Sequence, residues 1–373
     1  GMMGGEQASQ GVDMIANMFE TLTEDGQAFT FGMNFDATDG ITLDAGMQFK
    51  PESRSASYLH NAGVGAGKYL NNVPGGDFFF AAAMDFSGDG IKAFFNEHME
   101  AAKEMDTSGM LGNMNFATLI KDSMGGAQVM GASNPMNMSG LLSTVVSYYE
   151  TNDADSMIDS IAEMYDSMNN MDTGPLTTTA SFDKAGTKLN GSTAHEYNVK
   201  FDLDIDQDGG AGFGAMMDPA MIMQGVFGPN KGPSGYIGKA GNGVVQTMNM
   251  DQQTYARAVD AANGKNTLGQ TLMIRRAADH LQSNTVLELY FGVDHALNSV
   301  GPLLMMFGIL PEFEQLQSHA PIAMGFTADG GGFTARTWLP MEVIGTAMEL
   351  IPQEAFGQMG GEYEDDDNEG MDF

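Results

Sequence analysis

The chain has 373 residues, 49 of them acidic and 16 basic, giving a formal net charge of −33, and it contains no cysteine. A hydrophobic fraction of 42% is ample for a core and excludes global disorder, and no run approaches the roughly 18 apolar residues of a membrane span. Scattered Lys and Arg, with Arg275-Arg276 the only adjacent pair, exclude a phosphate-backbone partner and disfavour anionic membrane surfaces. Such one-signed charge repels itself unless salt screens it, so the chain reads as a protein of salty or extracellular water. Without cysteine there are no disulfides, no thiolate zinc site and no thiol nucleophile, which by itself fixes no compartment. Gly1 ahead of Met2 reads as a cloning remnant, so a native signal peptide would have been removed.

Residues 1–12 are a Gly, Ser and Gln-rich lead-in, followed by a short helix with Met14, Ile15, Met18, Phe19 and Leu22 at helical spacing. The clearest local signal comes next. Phe29, Phe31, Met33 and Phe35 alternate with small or polar residues, Ala37-Thr38-Asp39-Gly40 turns, and Ile41, Leu43, Ala45, Met47 and Phe49 alternate on the return. This predicts a β-hairpin with one buried face. A short helix over Ser55–Leu59, a strand over Asp77–Phe86 buried on both faces and a helix over Ile91–Met105 follow. The stretch 106–140 carries no assignable element, and Leu142–Glu150 reads as a strand. Met157, Ile158, Ile161, Met164, Tyr165 and Met168 share one helical face, with Asn152 or Asp153 as N-cap. Gly174-Pro175 is a sharp stop and the expected domain boundary.

Beyond it, Thr177–Phe182 and His195–Ile205 read as paired strands, and a Gly/Met segment interrupts at 209–231. Gly235–Ala240 and Val244–Met248 make a hairpin around Gly241-Asn242-Gly243. Asp251 caps a helix with Tyr255, Ala258, Val259 and Ala262, and a further helix spans Leu268–Leu281. Thr285–Val293 is a strand, Asp294 caps a helix to Phe307, and Pro321–Thr327 with Phe333–Leu339 form the last hairpin. Met341–Phe356 is a final helix, and the acidic run 362–369 is a solvated tail. Hairpins and helices without regular βαβ alternation predict an α+β fold. The expected form is two similar-sized halves with antiparallel sheets and helices on one face: 1–174, 175–356 and an acidic disordered tail, 357–373.

Asp204-Ile205-Asp206-Gln207-Asp208-Gly209 starts like a calcium loop, but the twelfth position is Ala215 where Glu is required, and Asp204 and Asp206 also continue a strand's polar face. A solvated strand end is the plain reading, and a calcium site through Asp204, Asp206 and Asp208 is the sharper one. Gly63-Val64-Gly65-Ala66-Gly67-Lys68 misses the phosphate-loop spacing at Ala62 and Tyr69 and reads as a flexible connection. Methionine outnumbers leucine, 33 to 23. Most of it substitutes for Leu in the core. Where Met216, Met217, Met221 and Met223 mix with Gly ahead of Phe227, an adaptable apolar cleft is the candidate ligand site; soft copper ligation is the remaining reading. No His pair has metal spacing: His195-Glu196 opens like H-E-x-x-H but meets Val199 at the fifth position. There is no G-x-S-x-G elbow, so no catalytic residue is nominated. Trp338, the single Trp, reads as core or sheet-face packing.

The hairpin strand Val244-Val245-Gln246-Thr247-Met248, the helix Thr254–Asn263, Gly264-Lys265-Asn266-Thr267-Leu268, a second helix and a strand entering Asp294 resemble the C-terminal part of a domain-of-unknown-function family of exported bacterial proteins. Leu43–Phe49 with Lys50-Pro51-Glu52-Ser53 and Ser57-Tyr58-Leu59, and Gly332-Phe333-Thr334-Ala335-Arg336 to Leu339-Pro340, share the pattern. The resemblance covers about half of the chain. It implies an α+β fold in a periplasmic or secreted protein and brings no catalytic residues. The resulting expectation is a protein, more a binder than an enzyme, that holds an apolar small molecule or lipid in a Met-rich cleft. The alternatives are an envelope-associated interaction module, partnered by another envelope protein, and a hydrolase without a visible motif. Calcium is the one candidate cofactor.

Overall fold

Asp36 shows how the first hairpin is set locally. Its Oδ1 accepts from the Thr38 N–H (2.8 Å), the Thr38 hydroxyl (2.7 Å) and the Asp39 N–H (3.1 Å), closing the turn at 37–39. The Thr38 hydroxyl is the main reason the Asp36 carboxyl lies below its ordinary value. The computed structural model describes residues 24–60, 62–63, 65–94, 96–97, 123–131, 140–169, 171–172, 176–203, 219–306, 316–317 and 319–350.

The strands are β1 (Gly26–Asp36), β2 (Gly40–Phe49), β3 (Phe78–Asp85), β4 (Ser123–Gly131), β5 (Val145–Thr151), β6 (Met171–Asp172), β7 (Leu176–Phe182), β8 (Thr187–Leu189), β9 (Ser192–Leu203), β10 (Ser234–Ala240), β11 (Gly243–Thr247), β12 (Thr285–Phe291), β13 (Ile322–Asp329) and β14 (Gly332–Pro340). The helices are α1 (Arg54–Leu59), α2 (Ala154–Met168), α3 (Pro219–Phe227), α4 (Gln252–Ala262), α5 (Leu272–Ala278), α6 (Val293–Met306) and α7 (Met341–Leu350). Residues 89–94 are also helical, and Ala66–Asn72 and Leu268–Gln270 are 3-10 turns.

All fourteen strands of the described residues join one antiparallel sheet in the order β1-β2-β14-β13-β12-β3-β4-β5-β11-β10-β9-β7-β6, with β8 added on β9. This overturns the expected α+β arrangement of two halves with separate sheets: the fold is mostly β. The C-terminal meander β12–β13–β14 is wedged between β2 and β3, and β11 pairs with β5. Turn residues specify which neighbours form a hairpin, but the docking of one hairpin's edge on another's is decided by distant side chains. One such pair is Arg336 on β14, directly opposite Asp44 on β2, whose Nε donates to Asp44 Oδ1 at 2.7 Å and Nη2 to Oδ2 at 3.1 Å.

Helices pack on both faces of the sheet, not on one. Val244 and Val245 are adjacent on β11 and therefore point opposite ways. On the Val244 face, α2 buries Met157, Ile158, Ile161, Tyr165 and Met168 against Ala180, Tyr197, Val199 and Ile237. Each such side chain contributes roughly 1.5–3 kcal/mol relative to exposure, and Tyr165 stacks on Tyr197 at 4.8 Å. On the Val245 face, α4, α5 and the 3-10 turns Ala66–Asn72 and Leu268–Gln270 cover the larger core, with Tyr69, Tyr148, Tyr255, Tyr290 and Trp338 fully buried. Of the expected caps, those at Asp153 and Asp251 are present, whereas Asp294 lies inside α6, which begins at Val293, and its Oδ2 accepts from the His319 N–H at 2.6 Å. Asp153 accepts from the Ser156 N–H, and Asp251 from the Gln253 and Thr254 N–H groups.

Burial acts to raise the Asp251 carboxyl, but the Thr254 hydroxyl and the two N–H groups hold it below its ordinary value. A lowered folded value means the stabilisation is present above the unfolded pKa of about 3.9 and is lost as the pH falls through the folded one. Asp251→Ala is expected to cost about 1 kcal/mol at neutral pH. The difference from the parent should shrink toward zero in urea melts taken at progressively lower pH.

Strand β4 was invisible in the sequence because it is built on glycine. A methyl group at Gly125 would lie 2.2 Å from the Tyr69 ring, and one at Gly126 would lie 2.4 Å from the Tyr148 carbonyl oxygen. The 3-10 turn can dock its tyrosine only on a strand without side chains there. Ala66–Asn72 is therefore part of the core, with Ala66, Tyr69 and Leu70 buried, and not the flexible connection expected. The predicted boundary at Gly174-Pro175 and the tail at 357–373 lie outside the described residues.

Candidate functional site

The glycine-rich segment before Lys68 is lined by carboxylates. A methyl group at Gly63 would lie 2.4 Å from Asp85 Oδ1, and one at Gly67 would lie 2.7 Å from Glu288 Oε2. Both acids are buried, Asp85 from β3 and Glu288 from β12. Asp85 accepts from the Ser87 N–H at 2.9 Å and lies 3.5 Å from Lys68 Nζ; Glu288 accepts from the Thr285 and Tyr290 hydroxyls at 2.5 and 2.7 Å. Such a floor repels a phosphate, so these glycines serve close packing.

Two open, polar concavities of about 410 and 510 Å³ adjoin at the β10–β11 turn and share Glu150, Gly241 and Asn242. Lys68, Tyr69, Tyr148 and Asn263 line the first, and Asn152 and Lys239 the second. The phenols there cannot act as bases near neutrality. Burial, with Glu150 adding, pushes Tyr148 up to about 12, and burial raises Tyr69 further, with Asp85 and Glu150 adding. Both remain hydrogen-bond donors, and the Tyr69 hydroxyl already donates to the Met124 carbonyl at 2.9 Å.

A third pocket, of about 290 Å³, is apolar. Its floor is the sheet face carrying Met84, Leu287, Phe326 and Phe333 from β3, β12, β13 and β14. Its cover is Leu59 of α1 with Ile91 and Phe94 of the helical segment 89–94. Phe94 is held edge-on to Tyr58 at 5.6 Å, and Tyr58 hydrogen-bonds Glu97, which also pairs with Arg54. The sequence carried a trace of this site. Val286, Leu287, Leu289 and Tyr290 place large apolar groups on both faces of β12, so each face needs a cover, but nothing local says that the second cover is short and leaves a gap.

The same face runs on to the sheet's outer edge. Phe29, Phe31, Met33 and Phe35, expected on the buried side of the hairpin, are 65%, 68%, 69% and 61% exposed. The alternation holds but the stripe faces outward, because β1 is the last strand of the sheet and, among the described residues, the helices of this face pack on other strands. Exposed apolar groups contiguous on this scale mark a contact surface.

Of the residues nominated from sequence, Asp204, Asp206, Asp208, Met216 and Met217 lie outside the described residues. The backbone of Met221 lies in α3, where Met223 and Phe227 are half-buried and Phe227 packs on Phe201 of β9 at 5.5 Å. The structure thus brings Phe227 to the sheet, far along the strand order from the apolar pocket. Among the described residues, no group of three or more His, Asp or Glu side chains is placed to hold a metal ion, and no helix is long and apolar enough to cross a membrane. Compared with protein-family models, with curated proteins and with solved structures, the chain has no match.

Proposed function

We propose that this chain is a non-catalytic binding protein, working outside the cytoplasm, that holds an apolar chain-like ligand in the pocket beneath α1. The observation that carries the reading is the pocket's lining. Leu59, Met84, Phe94, Leu287, Phe326 and Phe333 surround it, while Asp85 and Thr327 are its polar members. At about 290 Å³ it lies near the lower end of ligand sites, which run from about 300 to 1,000 Å³. That suits a segment of an acyl chain more than a rigid polycycle. The surplus of acid supports a saline, extracytoplasmic setting.

Filling the pocket tests this. Leu59 is half-buried at the rim, so Leu59→Trp should occupy the space without straining the sheet. Titrated with a polarity-sensitive fluorescent fatty acid, the parent should bind saturably and the variant at least tenfold more weakly. Equal binding by both would remove this pocket as the site, and no saturable binding by the parent would remove the ligand reading. A second reading, an interaction module, is favoured by one specific observation: the exposed aromatic edge of β1.

A further inference from the structure

We infer that strand β1 is a dimerisation edge, pairing antiparallel with β1 of a second copy of this chain about a twofold axis at Gly32. The inference rests on the interaction reading and is independent of the pocket and its ligand.

Among the described residues β1 pairs only with β2, so its outer row of N–H and C=O groups has no strand neighbour. Proteins guard such edges with Lys, Pro, inward charges, bulges or short length. β1 is eleven residues long with no Lys, Arg or Pro; its one register shift lies at Gly26/Ala28 and its one charge, Asp36, at the far end. The opposite edge of the sheet, β6, is two residues long. An edge left long, flat and uncharged is suited to adding a strand.

The sequence of β1 indicates which strand. Phe29-Thr30-Phe31-Gly32-Met33-Asn34-Phe35 is nearly the same read in either direction about Gly32. Antiparallel pairing on that centre sets Phe29 against Phe35, Phe31 against Met33 and Thr30 against Asn34. Asp36 then faces Ala28, so no carboxylates oppose each other in a chain of charge −33. Cross-strand aromatic pairs are favourable, and a twofold axis makes each contact twice. Nothing among the described residues requires glycine at position 32. An added methyl group would make ordinary contact with Asp44 at 3.8 Å, and the residue is not among those with positive φ. Glycine inside a strand is used where another backbone approaches closely, as beside the axis of a twofold strand pair.

Four large side chains about two-thirds exposed present about 500 Å² per copy, so the pairing covers at most about 1,000 Å² from them, with the paired backbone edges adding to it, which puts the interface at the small end of specific ones. Pairing consumes the long edge of each copy; at the other end of the sheet the described residues leave only short edges, β6, β8 and the part of β7 beyond β6, so the assembly stops at two.

Sedimentation velocity on the full chain tests the inference, since in about 1 M salt the repulsion between copies is screened. The mass should move from 39.7 kDa toward twice that value between about 1 and about 100 μM protein. Phe31→Lys with Met33→Lys, at exposed positions, should weaken association at least tenfold. Because the chain has no cysteine, Gly32→Cys reports the register: directly opposed residues of an antiparallel pair lie about 4.5–5.5 Å apart, within disulfide reach. Mild oxidation should give a linked dimer from Gly32→Cys and not from Thr38→Cys at the hairpin tip. A parent that stays monomeric throughout would overturn the inference. So would a dimer indifferent to the lysines, or cross-linking no better at 32 than at 38. The ligand reading would survive any of these results, because the probe titration reads a different site.

Discussion

Trp338→Ala is expected to lower the free energy of unfolding by about 3–5 kcal/mol, the range for emptying a buried aromatic site. Trp338 is 1% exposed on β14, between β13 and β2. Its ring is capped by His280, stacked at 4.1 Å and 8°, and by the Arg276 guanidinium at 5.5 Å. Those two residues reach on to other elements. Arg276 pairs with Glu342 of α7 at 2.8 Å and with Asp39 of the first hairpin's turn at 3.5 Å, and His280 Nε2 lies 3.2 Å from Asp39. Removing the indole therefore opens a cavity and frees the cap that fastens α5, α7 and the β1–β2 turn to one another. Trp338 is the only tryptophan, so the variant must be followed by far-UV circular dichroism in urea. Trp338→Phe should cost less than half as much. A cost below about 1 kcal/mol for the alanine would mean the site collapses freely and that the stacked cap is no anchor.

Glu288→Ala should cost a similar amount, about 3–5 kcal/mol, for a different reason. Buried on β12, Glu288 accepts from the Thr285 and Tyr290 hydroxyls, and the turn at Gly67 rests against its carboxylate. Alanine leaves two buried hydroxyls unpartnered and a void beneath the 3-10 turn, and each orphaned group costs roughly 1–3 kcal/mol. Tyr290 is buried, and burial, with the neighbouring Glu288, pushes its phenol well up; it therefore has no charged state in which to escape. Glu288→Gln keeps an acceptor and should cost about half as much. Hydrogen exchange gives the local reading: amides over 66–72 should lose protection in the alanine variant well before those of α2, on the other face. Uniform loss would mean that Glu288 supports the sheet and not the turn.

Local chemistry was legible in the sequence and long-range docking was not. Asp153, Asp251 and the turns at 37–39 and 241–242 declared themselves through residues within a few positions, and the hairpins and helices they begin are present. The order of the sheet depends on pairs such as Arg336 with Asp44, 292 positions apart, for which a single sequence holds no signal. β4 carries no strand signal because its glycines read as loop, although Gly125 makes room for the Tyr69 ring and Gly126 for the Tyr148 carbonyl. The stripe on β1 was assigned to the core because alternation gives two faces of a strand without saying which one is covered. The apolar pocket was missed for the same reason, since it depends on how far α1 and residues 89–94 reach across a face they only partly cover.

The wedging of β12–β14 between β2 and β3 also sets a timetable. β2 leaves the ribosome roughly 280 residues ahead of the strand that will lie beside it. At about 5–20 residues per second, that is a wait of roughly a quarter of a minute to a minute. Through that interval the first hairpin has two open edges and β3 has one, with no native neighbour yet made to occupy them. The strand made first is thus among the last to be secured, and the last hairpin synthesised closes the sheet like a keystone.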